Sequence, residues 1–190
     1  MKNLGYILIL LILTSCFQKK SFLSDEIKQF IPYKENQELV FVSDKNVENF
    51  ICIKSIEDNK FGDGIPPSRR EILDVYGVRK IDSTNDLRHQ NLLTGIAKSE
   101  KKEELIIFEI DLSTGGMKHR VPFSKVDNRK LIKFKTRFTE YDDVIRFKFD
   151  YARKPNDSEI TEFYWSLSKG YVRLIQQDKT SWDLKSINNC

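Results

Sequence analysis

Apolar and charged residues trade places at every second position along Val144 to Tyr151. Ile145, Phe147, Phe149 and Tyr151 alternate with Arg146, Lys148 and Asp150. A period of two sends successive side chains to opposite faces of a strand, and no stretch of the chain sustains a helical period over several turns. The same habit recurs at Leu39 to Val42, Phe50 to Ile53, Ile72 to Ile81, Leu93 to Ala97, Leu105 to Leu112, Leu131 to Phe138, Ile160 to Leu167, Tyr171 to Ile175 and Trp182 to Leu184. Turn chemistry separates these runs, as in Ser43-Asp44-Lys45-Asn46, Ser113-Thr114-Gly115-Gly116, Pro155-Asn156-Asp157 and Lys169-Gly170. The expected fold is mainly β: an antiparallel meander of about nine or ten strands forming a barrel, half-barrel or sandwich. A short N-terminal helix precedes it, with Ser24 as N-cap and Pro32 as its stop. Residues 56–70 read as a loop.

The chain can support one such domain. Its 190 residues are 39% hydrophobic and include 13 Phe, 7 Tyr and 2 Trp, which is core material that a disordered chain lacks. Only Leu4 to Leu13 forms a long apolar run, and ten residues cover about half a bilayer's hydrocarbon core, so a polytopic membrane protein is excluded. Met1-Lys2-Asn3 ahead of that run supplies a positively charged start, as in a signal peptide. The formal net charge of +4 argues against a dedicated nucleic-acid binder.

Leu13-Thr14-Ser15-Cys16, at the end of the apolar run, resembles the lipobox of bacterial lipoproteins. The resemblance implies cleavage before Cys16 and lipidation of that residue. The domains then divide as a signal peptide over 1–15, a lipidated tether over 16–24 and one β-rich domain over 25–190. Residues 17–20 lack the Asp that retains enterobacterial lipoproteins on the inner membrane, so attachment to the outer membrane is expected, on its periplasmic or surface face. Cys52 and Cys190 remain, an even number in a compartment that permits disulfides, and a bond between them would pin the chain terminus. The alternative is two unconnected thiols, with Cys52 a small buried residue.

Two further stretches carry a resemblance. Phe30 to Val42, with Pro32-Tyr33-Lys34 leading into the first strand, and Phe163 to Leu174, with an aromatic strand and a Lys-Gly turn, resemble the opening and closing segments of uncharacterised small lipoproteins of Bacteroidetes-type bacteria. The resemblance implies a lipid-anchored β domain and no particular activity.

No constellation for catalysis or metal binding is apparent. His89 and His119 each stand alone in polar stretches and read as solvated, and neither Cys52 nor Cys190 has a neighbouring His or Cys at metal-ligand spacing. Asn59 to Gly64 puts Lys60 and Phe61 where a calcium loop needs oxygens. No catalytic residue, metal or cofactor is expected. The one charged feature is a run of eight Lys/Arg against one Asp between Lys118 and Arg137. If Phe138 pairs with Ile145, Phe134 meets Phe149 on the inner face, while Arg137 meets Arg146, Lys135 meets Lys148 and Lys133 meets Asp150 outside. That basic ladder is the candidate anion-binding surface, for anionic lipid or polysaccharide, set against the plainer reading of a solvated strand face. On the same register Phe134, Phe147, Phe149 and Trp165 point inward.

The functional expectation is a lipid-anchored envelope protein with a non-catalytic binding or structural role. A carrier or sensor of an apolar ligand, akin at fold level to half-barrel lipoprotein carriers, is the alternative, and an enzyme with an unrecognised site is the third.

Overall fold

A computed structural model of the chain describes residues 20–21, 23–63, 71–81, 91–96, 103–127, 129–151 and 154–190. The elements in order are β1 (Lys20–Ser21), α1 (Asp25–Gln29), β2 (Gln37–Ser43), β3 (Glu48–Asp63), β4 (Glu71–Ile81), β5 (Asn91–Ile96), β6 (Leu105–Leu112), β7 (Gly115–Pro122), α2 (Phe123–Asp127), β8 (Ile132–Lys135), β9 (Glu140–Lys148), β10 (Ile160–Ser166), β11 (Gly170–Gln176) and β12 (Ser181–Asn189). Cys16 and the signal segment lie outside the described residues, as do His89 and Gly64.

The fold is mainly β and antiparallel. Two meanders, β2 to β7 and β8 to β12, join along the β2–β12 pair, giving the order β7-β6-β5-β4-β3-β2-β12-β11-β10-β9-β8, with β1 beside β4 in parallel. The path is open: β7 and β8, its two ends, are linked through α2 and are not paired with each other, so the sheet is not a closed barrel. β7 still reaches the second meander. The β7 residue His119 stacks on Phe149 with ring centroids 3.4 Å apart, and Gln176 of β11 donates to Thr114 at the β6–β7 turn.

The core lies between the meanders. Phe108 of β6 contacts Phe147, Phe163, Trp165 and Tyr171 of β9 to β11, with ring centroids 4.9 to 6.2 Å apart. Phe30, just past α1, stacks on Trp165. The two stretches that carry the lipoprotein resemblance meet here. Tyr33 packs edge-on against Trp165, and its hydroxyl accepts a hydrogen bond from the Tyr171 backbone N–H at 3.0 Å. Gly170 makes this possible. Its φ is +79°, and a Cβ there would lie 2.1 Å from the Tyr33 hydroxyl oxygen.

Several expectations are corrected. Ser24 does not cap α1: its backbone N–H and hydroxyl donate to the Glu104 carboxylate at 2.7 and 3.0 Å, tying the helix entry to the segment before β6. Residues 56–63 are not loop but the far half of β3, paired with β4 from Cys52–Ile81 to Asp63–Glu71, because a hairpin's backbone ladder needs no apolar pattern. β7 was not foreseen. Its inward residues include Met117 and Val121, but His119 sits between them and weakens the alternation.

The largest correction is the β8–β9 register. Phe134 pairs with Tyr141 and Lys135 with Glu140, so the turn is Thr136-Arg137-Phe138-Thr139. That turn lacks Gly, Pro, Asn or Asp. The Thr136 hydroxyl builds it by accepting from the backbone N–H groups of Phe138 and Thr139, a substitute for the usual turn residues.

Candidate functional site

Two places gather polar or ligand-sized features. The first is the outer face of β9 to β12. Arg146, Tyr164, Arg173 and Asp183 are successive cross-strand partners, one row over four strands. Phe163 and Trp165 point into the core, so Tyr164 between them points out. Phe134 stacks on this Tyr164, with centroids 4.0 Å apart, and the Arg173 guanidinium lies 5.0 Å from the Phe134 ring. Phe134 is therefore an outer-face, half-buried residue, contrary to expectation. Phe147 and Trp165 do point inward and are fully buried, and Phe149 is partly buried against His119 and Phe163.

Asp183 anchors the row. Its side chain is 1% exposed and is held by Arg173 Nη2 at 2.8 Å, Arg137 Nε at 3.1 Å and the Arg137 backbone N–H at 3.2 Å. Arg137 also donates to the Val42 carbonyl of β2. Burial alone would raise the Asp183 pKa. The hydrogen bonds from Arg173 and Arg137, with the Arg173 charge, outweigh it and hold the carboxyl below the usual range. The β8–β9 turn is thus folded back over the sheet and latched to β12. Asp143 of β9 accepts from the Ser166 hydroxyl and the Ser168 N–H, at 2.7 and 2.8 Å.

This arrangement dismantles the expected ladder. Lys135 pairs with Glu140 at 2.9 Å, Arg137 with Asp183, and Arg146 with Glu162 at 2.9 Å, while Lys148 stands opposite Glu162. No like-charge pair faces another across β8 and β9, because the four-residue turn brings Glu140, not Lys148, opposite Lys135. Lys133, Phe134, Lys135, Glu140, Tyr141 and Asp142 line an open hollow of about 460 Å³ of mixed charge. The five basic residues share a region of the fold but do not converge on one point.

The second place is a cleft at the open seam. It has a volume of about 480 Å³, and Phe30, Phe123, Val126, Leu131, Ile145 and Leu167 supply its apolar lining. Arg129, after α2, reaches its wall. The guanidinium lies 4.3 Å from the Phe147 ring centroid and donates to the Lys125 carbonyl at 3.1 Å and the Arg146 carbonyl at 2.6 Å. Burial lowers its pKa, and no carboxylate pairs with it among the described residues. Glu26 and Gln29 of α1 complete the lining. Nothing in the sequence pattern pointed to this cleft: its residues come from α1, α2, β9 and three connecting segments, which only the folded seam brings together.

His119, expected in solvent, is half-buried. It lies 2.9 Å from the Tyr151 hydroxyl, and desolvation lowers its pKa against the raising effect of Glu159. Cys52 and Cys190 form a disulfide across 138 residues, tying the end of β12 to β3. Among the described residues no group of three or more His, Cys, Asp or Glu is placed to hold a metal ion, and no helix is long and apolar enough to cross a membrane. No family model, curated protein or solved structure matches the chain.

Proposed function

We propose that the chain is a lipid-anchored protein of the bacterial cell envelope, most naturally of the outer membrane, with a non-catalytic binding or structural role. The observation that carries this reading is Leu13-Thr14-Ser15-Cys16, placed at the end of a ten-residue apolar run. The Cys52–Cys190 disulfide suits an oxidising compartment. In this reading the domain is a folded-over, sandwich-like sheet whose interior is filled by its own rings, and it meets the membrane through acyl chains on Cys16. Acyl chains contribute roughly 0.8 kcal/mol per buried CH₂, and two or more of them hold a domain on a bilayer.

A second reading, a carrier or sensor of an apolar ligand, draws on the apolar cleft at the seam. The interior itself offers that ligand little room: Phe108, Phe147, Phe163, Trp165 and Tyr171 are fully buried in mutual contact. Anionic lipid or polysaccharide remains a partner class for the basic hairpin, now as scattered surface charges and not as a ladder.

The anchor is tested by comparing wild type with Cys16→Ser in cells and in detergent-phase partition. Wild type is expected in the detergent phase and the membrane fraction, and the variant in the aqueous phase. Equal partition of the two into detergent would end the anchor reading.

A further inference from the structure

The cleft at the open seam combines three features that the packing of the fold leaves unexplained. Its walls are mostly apolar. Leu131, on its rim, is 45% exposed, a large hydrophobic surface left in water. Arg129 stands on one wall, half-buried against Phe147, and among the described residues its hydrogen-bond partners are two backbone carbonyls. A guanidinium carries five N–H donors, and an unpaired cation beside apolar surface is costly to keep. Glu26 faces the same cleft from α1, but it is exposed and makes no ion pair with Arg129. A volume of about 480 Å³ falls within the roughly 300–1,000 Å³ of ligand clefts.

We propose that this cleft binds a single-chain amphiphile, its acyl chain against Phe30, Phe123, Val126, Leu131 and Leu167 and its anionic head on Arg129. A carboxylate or phosphate head matches the donors left on the guanidinium, and the chain covers the exposed apolar wall. This rests on the reading of the protein as a lipid-anchored binding protein and names the site and ligand class. That reading also supplies the source of the ligand. Asp25 opens α1 nine positions after Cys16, a span of at most ~32 Å when extended, so the cleft stays within reach of the bilayer that holds the anchor. The completed core argues against a deeper site, because Phe30 is both the cleft's floor and the ring stacked on Trp165.

The test uses the full mature protein in phosphatidylcholine nanodiscs, photolabelled with diazirine-bearing palmitic acid, the matching lysophosphatidic acid or the matching uncharged hexadecanol. Labelled peptides are mapped by mass spectrometry. Palmitate or the lysolipid is expected to label the peptides holding Phe30 and Phe123 to Leu131, and the stronger of the two identifies the head group. Arg129→Gln is expected to reduce that labelling roughly tenfold, the scale of one charge-assisted contact, while sparing hexadecanol. Arg129→Lys should retain part of it and Glu26→Gln should raise it. Leu131→Asp, at an exposed rim position, keeps the test interpretable if Arg129 variants fold poorly, and should abolish labelling by all three probes. Labelling spread over the surface, or equal labelling by charged and uncharged probes in wild type, would overturn the proposal. The same digest reads the N-terminal peptide, so a missing lipid on Cys16 and a failure of the cleft to label are separate results.

Discussion

The two faces of β9 to β12 are built from the same four strands and held by opposite means. The inner face is a contiguous set of rings, with Phe147 stacked on Phe163 and Tyr171 edge-on to Trp165. Its stability scales with buried area, and many contacts share the load. The outer face hangs on a few groups. Asp183 gathers Arg173 from its neighbour strand and Arg137 from a turn 46 residues away, and Phe134 lies on Tyr164 beneath Arg173. A buried carboxylate with two guanidinium partners loses much when any one is removed, since the rest are left desolvated and unpaired. Apolar character therefore does not settle which face a ring occupies. Phe134 and Phe147 are both strand phenylalanines, and they lie on opposite sides of the sheet.

The sharpest way to break this contrast is to truncate one ring on each face. Phe147→Ala should cost ~3–5 kcal/mol in chemical denaturation, as a fully buried ring in close contact with Phe108 and Phe163. A loss below ~1 kcal/mol would show that the inner face does not carry the stability of the fold. Asp183→Ala comes next, at about 2–4 kcal/mol, with most of the loss shared with Arg173 in a double-mutant cycle. Additive single effects would mean that the latch is not one unit. Phe134→Ala should cost about 1–2 kcal/mol, less than Phe147→Ala because the ring is only half-buried. Equal costs would place Phe134 in the core after all.

Acidity separates the two faces by pH. Asp183 has a lowered pKa in the folded state, so its stabilising contribution is complete above the unfolded value near 4 and is lost as pH falls through the folded value. His119 at the seam is also lowered, which favours the neutral ring. Its contribution is complete above the unfolded value near 6.5 and declines as pH falls below it. A melting profile should therefore sag first below about pH 6.5, and His119→Gln should remove that step while leaving the acid-limb loss in place. A profile flat from pH 7 to 5 would contradict the buried seam histidine. The smallest effect belongs to Lys135→Gln, which should leave the denaturation midpoint unchanged within measurement error, because the Lys135–Glu140 pair is exposed on both sides.

The alternation that made β9 to β11 legible is a statement about parity, and it placed Phe147 and Trp165 correctly. The β5–β6 hairpin, with Leu93 opposite Phe108, follows from the same pattern. Phe134 failed because parity propagates only through a known turn. Thr136 closes the β8–β9 turn with a hydroxyl, so the apolar-basic alternation appeared to run on through Phe138, which is 42% exposed. The far half of β3 failed for a different reason, since its run of mostly polar residues shows no alternation and a backbone ladder needs none. For the sites, Asp183's partners and the cleft around Arg129 are products of long-range packing, and sequence neighbours of those residues carry no trace of them.

The claim on which the functional account rests is covalent attachment of lipid at Cys16, and the mass of the N-terminal peptide of the protein isolated from its native membrane tests it directly. The account predicts a peptide that begins at Cys16 and carries a diacylglyceryl group, with or without a further acyl chain. A mature chain that begins at Met1, or at any residue other than Cys16, without lipid would contradict it.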